Sequence, residues 1–131
     1  MSAQRFQAWK PIDGAPPRLY LEAVHDDYEG LRFLLQGEDR TGPMLRLTFE
    51  SPIGYRNINE SYRSRSWASV SDMKSLSTLL IVENSEWVQW LVEEAGGVLR
   101  VEALTHYAIY TPEDCIDIVT EFPPTAEWLD G

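Results

Sequence analysis

Apolar residues recur at every second position in three successive runs within the first fifty residues, and that spacing limits what the chain can become. Leu19, Leu21 and Ala23 alternate with Tyr20, Glu22 and Val24. Leu31, Phe33 and Leu35 alternate with Arg32, Leu34 and Gln36, and Leu45, Leu47 and Phe49 with Arg46, Thr48 and Glu50. A strand sends successive side chains to opposite faces, so each run offers one apolar face; a helix would scatter the same residues around its circumference. Between the runs stand Asp26-Asp27-Tyr28-Glu29-Gly30 and the stretch from Gly37 to Pro43, both turn compositions. Three short strands with tight connections predict an antiparallel meander.

The rest of the chain is read around that meander. Pro11, Gly14, Pro16 and Pro17 mark residues 1–17 as an irregular N-terminal arm, pinned by Phe6 and Trp9. Residues 18–131 form a single domain, a length that suffices to bury one core. Tyr55 to Asn59 reads as a fourth strand, Ser61 to Ser77 as a loop with a short helical turn, and Leu79 to Val82 as a buried strand. Ser85 to Ala95 is the helix: Asn84 or Ser85 caps it, Val88, Leu91, Val92 and Ala95 share a face, and Gly96-Gly97 stops it. Val101 to Tyr110 and Cys115 to Phe122 read as a closing hairpin, and Thr125–Leu129 as one helical turn docking Trp128. The expected fold class is α+β: a mostly antiparallel sheet with one main α-helix packed on it. Leu45, Leu47, Phe49, Val88, Leu91, Ile116 and Ile118 are expected to be buried together.

Charge narrows the partners. The formal net charge of −10 is carried by the second half of the chain: residues 1–65 hold nine Lys/Arg and nine Asp/Glu, residues 66–131 only Lys74 and Arg100 against twelve acids. Such a balance disfavours nucleic acid, whose phosphates need Lys and Arg, and suits a basic protein partner. No apolar run is long enough for a membrane span, and the N-terminus lacks the apolar stretch of a secretory signal. With Cys115 as the single cysteine, these features point to a reducing cytoplasm, most simply a bacterial one. One cysteine and two histidines, His25 and His106, do not fill a structural zinc site, and the acids lack calcium-loop spacing; no metal or cofactor is expected.

No catalytic motif stands out, and the candidate residues are binding candidates. On a strand, Tyr55, Asn57 and Asn59 share one face and Arg56, Ile58 and Glu60 the other, so Arg56 and Glu60 pair with each other or clamp a ligand. His106 invites a general-base reading beside Tyr107, but strand neighbours point to opposite faces, and a hydrogen-bonded structural histidine is the simpler account. Glu113, Asp114 and Asp117 form an acidic corner near the last hairpin, read either as a solvated face or as a docking surface. Glu93-Glu94 close the helix against its dipole, and Trp90 falls away from the apolar stripe, as an interface anchor would.

Val82-Glu83-Asn84-Ser85, Trp90-Leu91, His106-Tyr107-Ala108-Ile109, Asp114 to Val119 and Trp128-Leu129, with Tyr55-Arg56 and Asn59-Glu60 upstream, give the chain a resemblance to a family of small, acidic, uncharacterised bacterial proteins. The resemblance spans roughly residues 44–129, and the family often has an acid where Asn59 stands. Such proteins resemble the immunity proteins that neutralise secreted bacterial toxins, and the resemblance implies a non-enzymatic binding protein for a basic toxin or other basic protein. Two alternatives remain open at the level of sequence. One is a small-ligand-binding protein or enzyme with its site near Arg56/Glu60 and His106; the other is a homo-oligomeric structural protein.

Overall fold

The three alternating runs become neighbouring strands, and in the second and third the side chains at every second position form one wall of the core; in the first, a bulge between Leu21 and Ala23 shifts the alternation, so that Leu19, Leu21 and Val24, not Ala23, pack against it. The computed structural model describes residues 4–37, 40–59 and 77–129. Within them the strands are β1 (Arg5–Ala8), β2 (Leu19–Asp27), β3 (Gly30–Gly37), β4 (Met44–Phe49), β5 (Gly54–Asn59), β6 (Leu79–Glu83), β7 (Thr105–Tyr110), β8 (Asp114–Thr120) and β9 (Thr125–Leu129). One α-helix, α1 (Glu86–Glu94), and a 3-10 turn (Val101–Ala103) lie between β6 and β7.

The strands form two antiparallel sheets, one ordered β1-β6-β7-β8-β5 and the other β2-β3-β4-β9. The chain is therefore mostly antiparallel strand with one helix among the described residues, but it stacks sheet on sheet instead of a helix on a single sheet. The cause is visible in β7 and β8, which are buried on both faces. Their near-continuous apolar runs need a cover on each side, and a nine-residue helix covers only part of one.

The main core lies between the sheets. Leu31, Phe33 and Leu35 of β3 and Leu45, Leu47 and Phe49 of β4 meet Tyr107, Ile109, Ile116 and Ile118. Phe49 meets Phe33 edge-on at 5.9 Å and Tyr107 across the sheets at 5.7 Å. Five of the seven residues expected to be buried together share this cluster; Val88 is buried elsewhere and Leu91 only half-buried. At the β2–β3 turn Gly30 has φ +110, and a Cβ there would approach the Phe49 carbonyl oxygen to 3.3 Å, so the turn requires glycine.

Both chain ends depart from expectation. Arg5–Ala8 of the arm is a strand paired with β6, and Trp9 continues the ladder by donating its N–H to the Leu79 carbonyl at 3.0 Å. Phe6 and Trp9 pack on opposite faces of the sheet, Phe6 towards Tyr110 and Trp9 against Tyr107 at 4.7 Å. Thr125–Leu129 is no helical turn: it is β9, paired along β4, with Ala126 and Trp128 against the core. A single isolated turn satisfies few backbone groups, whereas the open edge of β4 satisfies a row of them. The closing hairpin is shorter than the sequence suggests, because Val101–Ala103 forms the 3-10 turn and β7 starts at Thr105. The loop expected over Ser61 to Ser77 lies outside the described residues except for Ser77.

Candidate functional site

Chemistry-bearing residues gather on the second face of the five-stranded sheet, the one turned away from the main core. Register places them there. Asp117 of β8 stands opposite Arg56 of β5 on one side and Ala108 of β7 on the other. His106 and Tyr110 flank Ala108 two residues away on the same face, so both are diagonal neighbours of Asp117. The small side chain of Ala108 leaves room for both to lean onto the carboxylate.

The contacts are short. His106 Nε2 lies 2.7 Å from Asp117 Oδ1, and the Tyr110 hydroxyl donates to the same oxygen at 2.6 Å. Arg56 Nε donates to Oδ2 at 3.0 Å. On its other side, His106 Nδ1 lies 2.7 Å from the Ser85 hydroxyl. Because a carboxylate only accepts, Nε2 carries the hydrogen; in the neutral ring Nδ1 then accepts from Ser85. Ser85 Oγ also accepts the Val88 N–H at 3.1 Å, which makes it the N-cap of α1. A continuous hydrogen-bonded chain thus runs from a buried carboxylate to the first turn of the helix. Asn84 bends the chain into that cap with φ 55.

Aromatic contacts close the cluster. Trp87 packs edge-on against the His106 ring at 5.6 Å, and the Arg56 guanidinium lies over the Trp87 ring at 4.6 Å. Ser85, His106, Tyr110 and Asp117 are 6, 3, 4 and 0% exposed. Burial pushes the Asp117 carboxyl up, but the His106 and Tyr110 hydrogen bonds and the Arg56 charge outweigh it and hold the group well below the usual carboxylate range. No buried side-chain nitrogen or oxygen among the described residues lacks a hydrogen-bond partner.

The order Ser85–His106–Asp117 is that of a nucleophilic relay, yet its surroundings restrain that chemistry. The Ser85 oxygen is engaged by the helix N-terminus, and Arg56 and Tyr110 draw on the charge that would support an imidazolium. The arrangement is well suited to fastening α1 to the sheet.

The remaining candidate residues lie elsewhere. Tyr55 is on the opposite face from Arg56; its ring meets Phe33 edge-on and its hydroxyl donates to Asp26 at 3.0 Å, which pushes the phenol up. Asp117 does not belong to an exposed acidic corner: it is fully buried on the outer face of the five-stranded sheet, while Glu113 is exposed in the β7–β8 turn and Asp114, half-buried, opens β8. Arg56 pairs with Asp117, sixty-one residues away, and Glu60 lies outside the described residues. Trp90 is 53% exposed on α1. A separate cleft of about 240 Å³ is lined by Arg18, Tyr20, Thr78 and Thr111, among others. Ser85, Trp87 and Tyr110 were not among the candidates; the spacing His106-x-Ala108-x-Tyr110 opposite a buried aspartate is the signal that could have found Tyr110. The described residues include no group of three or more His, Cys, Asp or Glu able to hold a metal, and no described helix is long and apolar enough to cross a membrane.

No family model, curated protein or solved structure matches the chain.

Proposed function

We propose that the protein is a non-enzymatic binding protein that holds a basic protein partner, a secreted bacterial toxin being the class to which the family resemblance points. The observation that carries this reading is how charge is distributed once the chain has folded. Arginines of the N-terminal half reach three acids of the C-terminal half: Arg5 pairs with Glu83, Arg46 with Glu127 and Arg56 with Asp117. Seven acids between residues 77 and 129 make no ion pair with a described residue: Glu86, Glu93, Glu94, Glu102, Glu113, Asp114 and Glu121. Arg100 is the only Lys or Arg in that span. Such an excess of unpaired acid speeds association with a basic partner and repels acidic ones.

The enzyme reading draws on the Ser85–His106–Asp117 order, and the two readings separate at His106. In a binding protein His106→Ala lowers the melting temperature and leaves partner affinity unchanged in the folded fraction. In an enzyme it abolishes turnover at a normal melting temperature. The direct test of the binding reading is association kinetics with a purified basic partner from 50 to 200 mM salt. The association rate is expected to fall steeply, because screening shortens the reach of exposed charge to about 8–10 Å at physiological strength. A salt-independent rate would mean that the acids serve solubility.

A further inference from the structure

We infer that the solvent face of α1 is the docking surface, and that it takes an arginine-bearing segment of the basic partner, with Trp90 as the central anchor. This rests on the binding reading above and locates its site.

The helix is two-sided. Val88 is buried and Leu91, Val92 and Ala95 are half-buried, while Glu86, Gln89, Trp90, Glu93 and Glu94 face solvent. At 3.6 residues per turn, Glu86 lies one turn before Trp90 on its own face, and Glu93 and Glu94 one turn after. The indole is therefore framed by three carboxylates. The 3-10 turn packs beside α1 and carries the exposed Val101 and Glu102. A large exposed aromatic in an acidic rim has the make-up of an interface hot spot.

Two of these acids work against the fold. Glu93 and Glu94 stand at the C-terminal end of the helix, whose last turn contains no basic residue. Carboxylates there oppose the helix dipole, so their placement weakens the helix. Residues kept at a cost to stability are expected where they serve binding. The scaffold beneath is fixed, since the Ser85 cap is tied to His106 and through it to Asp117, and Trp87 is held against Arg56. A surface held in place loses little freedom on binding.

Charge complementarity selects the occupant. A second copy of this chain presents the same acids and carries the same net charge of −10, so it is repelled, as nucleic acid is. An arginine meets both features of the face at once: its guanidinium stacks on the indole and forks onto a flanking carboxylate, which a lysine does less well. The protein already contains that combination, with Arg56 stacked on Trp87 and bonded to Asp117.

The test uses the full chain and two synthetic twelve-residue peptides, one of alternating arginine and alanine and one of alternating lysine and alanine. Binding is followed by calorimetry and by the indole N–H signals in NMR spectra. The arginine peptide is expected to bind more tightly and to move the Trp90 indole signal. Trp90→Ala is expected to weaken the arginine peptide about tenfold or more and to erase the preference over lysine. The double change Glu93→Lys with Glu94→Lys is expected to weaken binding and to raise the melting temperature, a pairing that a merely structural role does not produce. If binding is salt-sensitive but responds to Glu113→Gln with Asp114→Asn and not to the α1 variants, this face is overturned and the binding reading stands. If neither peptide binds in a salt-dependent way, both fall.

Discussion

The two faces of the five-stranded sheet are built on the same strands and satisfy burial by opposite means. The inner face presents Tyr107, Ile109, Ile116 and Ile118 to the facing sheet, an apolar contact without direction. The outer face buries His106, Tyr110 and Asp117 in a network in which His106, Tyr110 and Arg56 converge on one carboxylate. In an apolar core each side chain adds its own contribution, and a lost methyl group leaves a cavity. In the polar network each member is stable only because the others are present, so removing one strands the rest.

That difference should appear as a hierarchy of mutational effects. The largest is expected at the hub. Asp117→Ala leaves Arg56, His106 and Tyr110 without their shared acceptor and should cost about 3–5 kcal/mol, read as a shift in the urea midpoint. A cost below about 1 kcal/mol would mean that the network does not hold the face together. On the inner side Leu47, fully buried, sets the benchmark. Leu47→Ala should cost about 2–5 kcal/mol and leave the pH dependence of stability unaltered.

Acid titration separates the faces by sign. The Asp117 carboxyl is held below its ordinary range in the folded chain. The unfolded chain therefore takes up that proton first, and the stabilisation, complete above about pH 4, is lost as pH falls below it. Asp117→Asn should flatten this acid limb of a stability-versus-pH curve. An unchanged limb would assign the acid sensitivity to other carboxylates.

The smaller effects sharpen the account of cooperativity. Ser85→Ala removes the N-cap and should cost about 0.5–2 kcal/mol. Combined with His106→Ala it should be non-additive by about 0.5–3 kcal/mol, because the two side chains share a hydrogen bond. The same double-mutant cycle between Ser85 and Leu47 should add within about 0.5 kcal/mol. Smallest of all, Trp90→Ala should alter stability by no more than about 0.5 kcal/mol, since the ring is more than half exposed. A larger loss would make Trp90 a packing residue and remove it as an anchor.

Much of the secondary structure was legible because it is written locally. The alternation at Leu45, Leu47 and Phe49 is sufficient for a strand with one apolar face, and β4 spans Met44–Phe49. Ser85, the stripe through Val88 and Gly96 at φ +60 bound the helix to within a residue. What failed was local pattern applied to a non-local question. Thr125–Leu129 has no strong period of its own, and pairing with β4 decides its form. The acidic corner failed at Asp117 for the same reason. Glu113 sits in the turn and Asp114 at the first position of β8, but further along that strand Asp117 meets an arginine sixty-one residues earlier.

Which residues alternate, and where the helix is capped and stopped, depend on neighbours along the chain, and the net charge depends on composition alone, so all three are legible without a structure. Tertiary structure alone decided that there are two sheets, that β1 and β9 complete them, and that His106, Asp117 and Arg56 meet. It also decided which acids stay exposed. The ladders and the ion pairs between Arg5 and Glu83 and between Arg46 and Glu127 join residues separated by most of the chain. Strand register sets those meetings, and register is fixed by burying both sheets at once, a condition that no local stretch of sequence contains.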